Sequence, residues 1–163
     1  MTREPLTNDR WGFASQCFVC EAKNPTGLRI PFFHDTEAGL VVADFTLTEA
    51  FSGAPNYVHG GVVLAILDEA MAWATIALLA KFAVTTRTTT TFARPIRVGA
   101  EHRVEASVTD NDEGAIATEA RIFDVQGRLC ATANATFAAL DLRQATSAIG
   151  STVTGADASF VEG

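Results

Sequence analysis

From Gly60 to Ala80 the chain runs GGVVLAILDEAMAWATIALLA, and apart from Asp68 and Glu69 near its middle it is apolar on every face of a helix. The run is long enough for about five to six helical turns. A helix with no polar face predicts burial, so the rest of the chain must cover it. Before it, residues 39–48 (GLVVADFTLT) alternate, with Val41, Ala43, Phe45 and Leu47 on one face, and residues 28–35 (LRIPFFHD) alternate more weakly. The NPTG sequence at 24–27 marks a turn ahead of them, and EAFSGAPNY at 49–57 is a loop into the helix. After the helix, residues 84–94 (VTTRTTTTFAR) are too β-branched for a helix, and Pro95 ends the strand or confines it to an edge. HRVEASVT, the turn DNDEG, AIATEARIF, the turn DVQG and RLCATANATFAAL complete a meander.

Two strands, a buried helix and then meandering strands predict an α+β domain: an antiparallel sheet of about five strands curled round one long central helix. In the last strand Leu129, Ala131, Ala133, Ala135 and Phe137 share a face opposite Thr132, Asn134 and Thr136. Small inner residues let a sheet approach a helix closely. Residues 1–14 are a mixed polar lead, residues 1–140 form the single domain, and 141–163 lack hydrophobic period and are expected to be a disordered tail.

Asp68 and Glu69 are the first chemistry to explain. A carboxylate on an apolar helix must be paired, protonated or working, because leaving it ionised and alone there costs several kcal/mol. A structural, hydrogen-bonded role competes with a catalytic one for Asp68, and is favoured for Glu69. A membrane span is disfavoured, since an acid at its centre costs about 2.5–3.5 kcal/mol and no Lys/Arg cluster flanks the run. At the other end His59, Gly60 and Gly61 open the helix, where unpartnered amides and the positive end of the dipole can hold an anion or a developing oxyanion. Gly60 and Asp68 lie roughly 12 Å apart along one helix axis, too far for one side chain to bridge. If both serve one carbonyl, the second group comes from another copy of the chain across a two-fold axis.

Composition narrows the partners. A net charge of −7 over 163 residues and a pI near 4.8 argue against nucleic acid or an anionic membrane surface. The first ten residues have no apolar core of signal-peptide length, and three cysteines cannot all pair, so a reducing, cytoplasmic setting is expected. Cys17 and Cys20 form a C-x-x-C that could be half of a zinc site, with only Cys130 and three scattered histidines to complete it. No βαβ pattern follows for a thioredoxin-like role. Two reduced packing thiols are the expectation, with no metal or cofactor.

Four pieces together, CFVCEAKNPTGLRI, GAPNYVHGGVVLAILDEA, TTRTTTTFARPIRVG and GRLCATANATF, resemble hot-dog fold thioesterases of the phenylacetic-acid-degradation (PaaI-like) group, which includes the thioesterase superfamily member four proteins. The His-Gly-Gly with an acid nine residues after the His is the most specific piece. The resemblance implies hydrolysis of acyl-CoA thioesters, without a cofactor, by a homodimer or homotetramer with sites at subunit interfaces. Position by position it gives the Gly60 amide as oxyanion donor, His59 as support for that loop, Asp68 as base or nucleophile, and Thr85 as the hydroxyl that orients water. Many relatives carry Asn or Gln six residues before the motif His; here that residue is Gly53, and Asn56 is the nearby substitute. Gly61, Asn56, Arg94 and Arg97 are candidates for contacting substrate, the arginines chosen from a run with Arg87 and Arg103 because coenzyme A carries phosphates. The competing readings are a hot-dog dehydratase, whose longer Pro-Gly motif is missing, and a non-catalytic acyl-CoA-binding module. No G-x-S-x-G, H-E-x-x-H or Gly-rich phosphate loop is present.

Overall fold

The computed structural model describes residues 2–11 and 14–150. Its centre is helix α1, Gly60–Leu79. At its start the His59 ring accepts the Gly61 N–H at Nδ1, 2.9 Å away, satisfying one of the amides that a helix leaves unpaired. At its end Ala80 turns into the left-handed region (φ 53°) and its N–H reaches back to Ile76 and Thr75. Thr75 seals this terminus, its hydroxyl bonding the carbonyls of Ala72 and Lys81.

Around α1 curls one antiparallel sheet of seven strands: β1 (Arg3–Leu6), β2 (Phe32–Asp35), β3 (Leu40–Phe45), β4 (Ala83–Phe92), β5 (His102–Asp112), β6 (Ala115–Asp124) and β7 (Leu129–Ala139). Their order is β1-β2-β3-β5-β6-β7-β4, and α1 touches β2 through β7. The hot-dog architecture is as expected, with more strands than the expected five or so. Strand β1 comes from the polar lead, where only Leu6 of its residues is buried; four residues reading REPL carry too little alternation to announce a strand.

Val41, Ala43, Phe45 and Leu47 are all buried, as their alternation predicted, and so are Ala131, Ala133, Ala135 and Phe137. Pairing aligns Val41 with Ala106, Ala106 with Ala120 and Ala120 with Ala133, so a row of small side chains crosses the inner face. That row lets the sheet wrap closely about α1.

Complete burial of α1 was expected, and one face departs from it. Val63, Ile66, Leu67, Ala70, Met71, Trp73, Ala74 and Thr75 are buried, while Ala65, Asp68, Ala72 and Ile76, spaced along one stripe, are only partly covered. The helix is long and apolar enough to cross a membrane by composition, but its buried face belongs to the core.

The expected tail begins as a helix. Residues 142–149 form α2 (Leu142–Ile149), started by a capping box in which Asp141 accepts the Gln144 N–H and Gln144 returns the bond, with Ala145 buried. The D-x-x-Q start carries the physical signal for this helix, in a stretch with too few apolar residues to show a period. The remainder of the tail expectation, 151–163, lies outside the described residues.

Candidate active site

Asp68 sits on the half-covered stripe of α1 and points at the edge strand β4. There the Thr85 hydroxyl donates to Asp68 Oδ1 at 2.6 Å, the short contact of a hydroxyl on a charged acceptor. Strand β4 is poorly covered. Eight of its ten residues are exposed, including Val84 at 48% and Phe92 at 54%, so this side of the sheet ends in an open backbone edge and the carboxylate faces outward beside it.

The start of α1 lies against the other end of β4. Gly60 has Phe92 as its neighbour, and Val58, Gly60, Val63, Phe92, Ala93, Arg94, Pro95 and Ile96 line a pocket of about 290 Å³. Its walls are mainly apolar with a single arginine, and it opens beside a helix N-terminus. Because His59 Nδ1 takes the Gly61 N–H, the Gly60 N–H is left without a hydrogen-bond partner among the described residues. The His59 ring sits so close that a Cβ on Gly61 would lie 3.2 Å from Nδ1, a tight contact that the ring would have to relieve by shifting a few tenths of an ångström. In one chain the two features are therefore at opposite ends of β4, Asp68 with Thr85 and Gly60 with Phe92.

The other candidates fall into two groups. Asn56 is exposed in the loop before α1, its carbonyl accepting the Val98 N–H, and this segment pairs with 96–98 so that Tyr57 faces Arg97, whose guanidinium lies 5.6 Å from the Tyr57 ring centre. Arg94 is exposed and anchored, its Nη1 donating to the Leu129 carbonyl at 2.8 Å. Arg87 is exposed on β4, away from these. Arg103 is engaged elsewhere, Nε lying 3.6 Å from both Asp44 and Glu105. Gly53 packs on the motif histidine: a Cβ there would meet His59 Cα at 3.3 Å, a tight contact, so a larger residue at this position would press on the turn that carries His59.

Glu69 projects about 100° round the helix from Asp68 and meets a different segment. Its Oε1 lies 3.3 Å from Cys17 Sγ, and together with Cys20 the three side chains form a cluster whose ligating atoms are all within 4.8 Å of one another. Burial pushes the Glu69 carboxyl up to about 8. Cys17 is drawn down to about 5, chiefly by a hydrogen bond from Cys20, whose thiol is held above its usual range by donating it. The C-x-x-C spacing directs attention to His and Cys as its partners, and the partner here is neither. The signal that could have found it was Glu69 itself, a second carboxylate on the apolar helix with no catalytic counterpart.

Residues 55–131 match the family described as the thioesterase superfamily. Among solved structures, a thioesterase superfamily protein is 24% identical over 71% of this chain with a TM-score of 0.66; the match spans 56% of that protein, so this chain accounts for little more than half of its length. The E. coli PaaI protein of the phenylacetic acid degradation operon is 22% identical over 63% of this chain and 73% of its own, with a TM-score of 0.59. A hypothetical thioesterase from Streptococcus pneumoniae TIGR4, solved with coenzyme A, is 16% identical over 63% and 79%, also with a TM-score of 0.59. At these identities the likeness is one of fold. No curated protein sequence matches the chain.

Proposed function

The chain belongs to the thioesterase superfamily through residues 55–131, and on that premise we propose that it is an acyl-CoA thioesterase, hydrolysing a thioester to a free acid and coenzyme A. The observation that carries this reading is the Thr85 to Asp68 hydrogen bond at an open edge: a carboxylate on an otherwise apolar helix, held in one orientation and facing outward. With Oδ1 occupied by Thr85, Oδ2 is available to take a proton from water or to attack a carbonyl carbon. Thr85 has spent its proton on Asp68, so toward an attacking water it acts as an acceptor.

The thioester oxygen would be received by the Gly60 N–H, reinforced by the helix dipole, with His59 holding the neighbouring turn through Gly61. Both groups act on one carbonyl only in a pair of chains. If two β4 edges meet antiparallel, the Thr85 end of one strand lies beside the Phe92 end of the other, and Asp68 of one chain comes to the Gly60 pocket of its partner. The exposed β4 and the half-covered stripe of α1 are the surfaces such pairing would use. Each homodimer then has two composite sites, in either a dimer or a tetramer. Arg94 and Arg97, beside the pocket mouth and the loop before α1, are the candidates for the phosphates of coenzyme A, and Asn56 and Gly61 for its approach.

The pneumococcal protein with coenzyme A supports the choice of substrate class. The reading is tested by free-thiol release from a panel of acyl-CoAs, with the acid product identified by mass. Binding of an acyl-CoA without thiol release would favour a binding module, and loss of water from a hydroxyacyl thioester would favour a dehydratase.

A further inference from the structure

We propose that Cys17, Cys20 and Glu69 form a zinc site that ties the N-terminal segment to the central helix, with a solvent molecule as fourth ligand. The three ligating atoms lie within 4.8 Å of one another, and the Cys17 Sγ to Glu69 Oε1 hydrogen bond of 3.3 Å already holds two of them near the spacing of neighbouring corners around one small cation.

The loop that presents the thiols has the form of a metal knuckle. Residues 18–20 are a turn and do not start a helix, as a dithiol redox motif would. The Cys20 N–H donates back to Cys17 Sγ at 3.4 Å, the bond that offsets thiolate charge in such loops. The loop is also rigidly held. Leu28 N–H bonds the Phe18 carbonyl at 2.8 Å and Ile30 N–H the Val19 carbonyl at 2.9 Å, while Asn24, itself buried, donates to the Gln16 carbonyl. Gly27 lies so near the loop that a Cβ would come within 2.7 Å of the Phe18 carbonyl oxygen. The third ligand arrives from a different element and is equally fixed, in the middle of α1.

Two thiolates and a carboxylate suit zinc among the common divalent ions, since sulfur ligands disfavour magnesium and calcium. Three protein ligands leave one position, and the space for it is on the Cys20 side, where a cavity of about 430 Å³ is lined by Asn8, Ser15, Gln16, Cys20, Glu21 and others, with Asn8 Nδ2 3.9 Å from Cys20 Sγ. On binding, any protons held by the two thiols and the Glu69 carboxyl go to solvent, and two sulfurs and one carboxylate oxygen each donate a lone pair to the ion, with no change of oxidation state. The site is independent of the thioesterase reading.

The full chain, purified under reducing conditions and freed of metal by a chelator, should take up one equivalent of zinc. One equivalent of cobalt should give a thiolate-to-metal charge-transfer band and the intense visible bands of tetrahedral cobalt. Cys17→Ser and Cys20→Ser should each abolish the charge-transfer pattern of two thiolates, and Glu69→Gln should retain it but weaken binding at least tenfold in a competition titration, the scale of losing one ligand or its orientation. Wild-type chain that shows no thiolate-to-cobalt band overturns the proposal, whether or not the variants fold. So does a reduced preparation whose mass is two hydrogens low, which makes the pair a disulfide, and so does a Glu69→Gln chain that binds cobalt with unchanged spectrum and affinity.

Discussion

The Thr85 hydroxyl bonds Asp68 Oδ1 at 2.6 Å across the space between edge strand β4 and helix α1. Removing the hydroxyl while keeping the shape, as Thr85→Val does, leaves the carboxylate free to turn. A hydrogen bond to a charged group contributes about 1.5–3 kcal/mol, so kcat should fall by roughly 10- to 100-fold. KM should change little. A pure rise in KM in steady-state thiol-release kinetics would show that Thr85 only binds substrate.

Asp68→Asn keeps the size of the side chain and removes its basicity. Turnover should drop by about 100-fold or more, the scale of lost acid-base or nucleophilic help, with an unchanged circular dichroism spectrum. Glu69→Gln, at a side chain that meets Cys17 rather than β4, should affect turnover far less. A folded Asp68→Asn enzyme with near wild-type turnover would falsify the catalytic assignment.

Gly60 and Asp68 stand at opposite ends of β4 in one chain, and this separation can be tested by mixing. A Gly60→Pro chain lacks the amide donor, and an Asp68→Asn chain lacks the carboxylate. Each alone should be inactive. After subunit exchange the mixed dimer holds one site with both parts, and should recover up to half the activity per dimer. If exchange is demonstrated by mass and activity stays absent, Asp68 does not serve a site shared between chains.

A pH prediction concerns the β6–β7 hairpin. Asp124 accepts the Gln126 and Arg128 amides at 3.0 and 2.9 Å and Arg128 Nε at 2.7 Å, and these bonds lower its pKa from 3.8, the Arg128 backbone bond most of all. A carboxyl depressed in the folded state contributes stability above its unfolded pKa and loses it as pH falls through the folded value. Asp124→Asn should therefore lower Tm at pH 7, and the gap to wild type should close on acidification below about pH 3.8. Melting curves at both ends of that range would check it; a gap that widens in acid contradicts the sign.

The DVQG turn closed by Asp124 was legible in the sequence, as were α1 and the alternating strands, because local chemistry sets them: turn residues, β-branching and a period of two. Asp68 was legible for a different reason, its cost on an apolar helix. Relations between distant segments were not legible. Glu69 meeting Cys17 depends on how the loop 14–30 folds over the helix, and no spacing rule links them. Strand β1 depends on β2 for its existence, pairing Leu6 with Phe32. Helix α2 depends on the capping chemistry of Asp141 and Gln144, which adds no apolar residue to a polar stretch.

The row formed by Val41, Ala106, Ala120 and Ala133 has a consequence for how this chain can diverge. Each of these side chains is buried, and α1 rests on the face they make. Adding two methyl groups at Ala120 or Ala133 would lift the helix, at about 1–3 kcal/mol of overpacking, and would carry Asp68 away from Thr85 on β4. In a saturation library scored for both abundance and turnover, the alanines of this row should tolerate only glycine or serine, while the larger neighbours Ile66, Leu67 and Met71 accept one another. Diversity in relatives of this chain should accordingly accumulate at the bulky core positions and be withheld from the smallest.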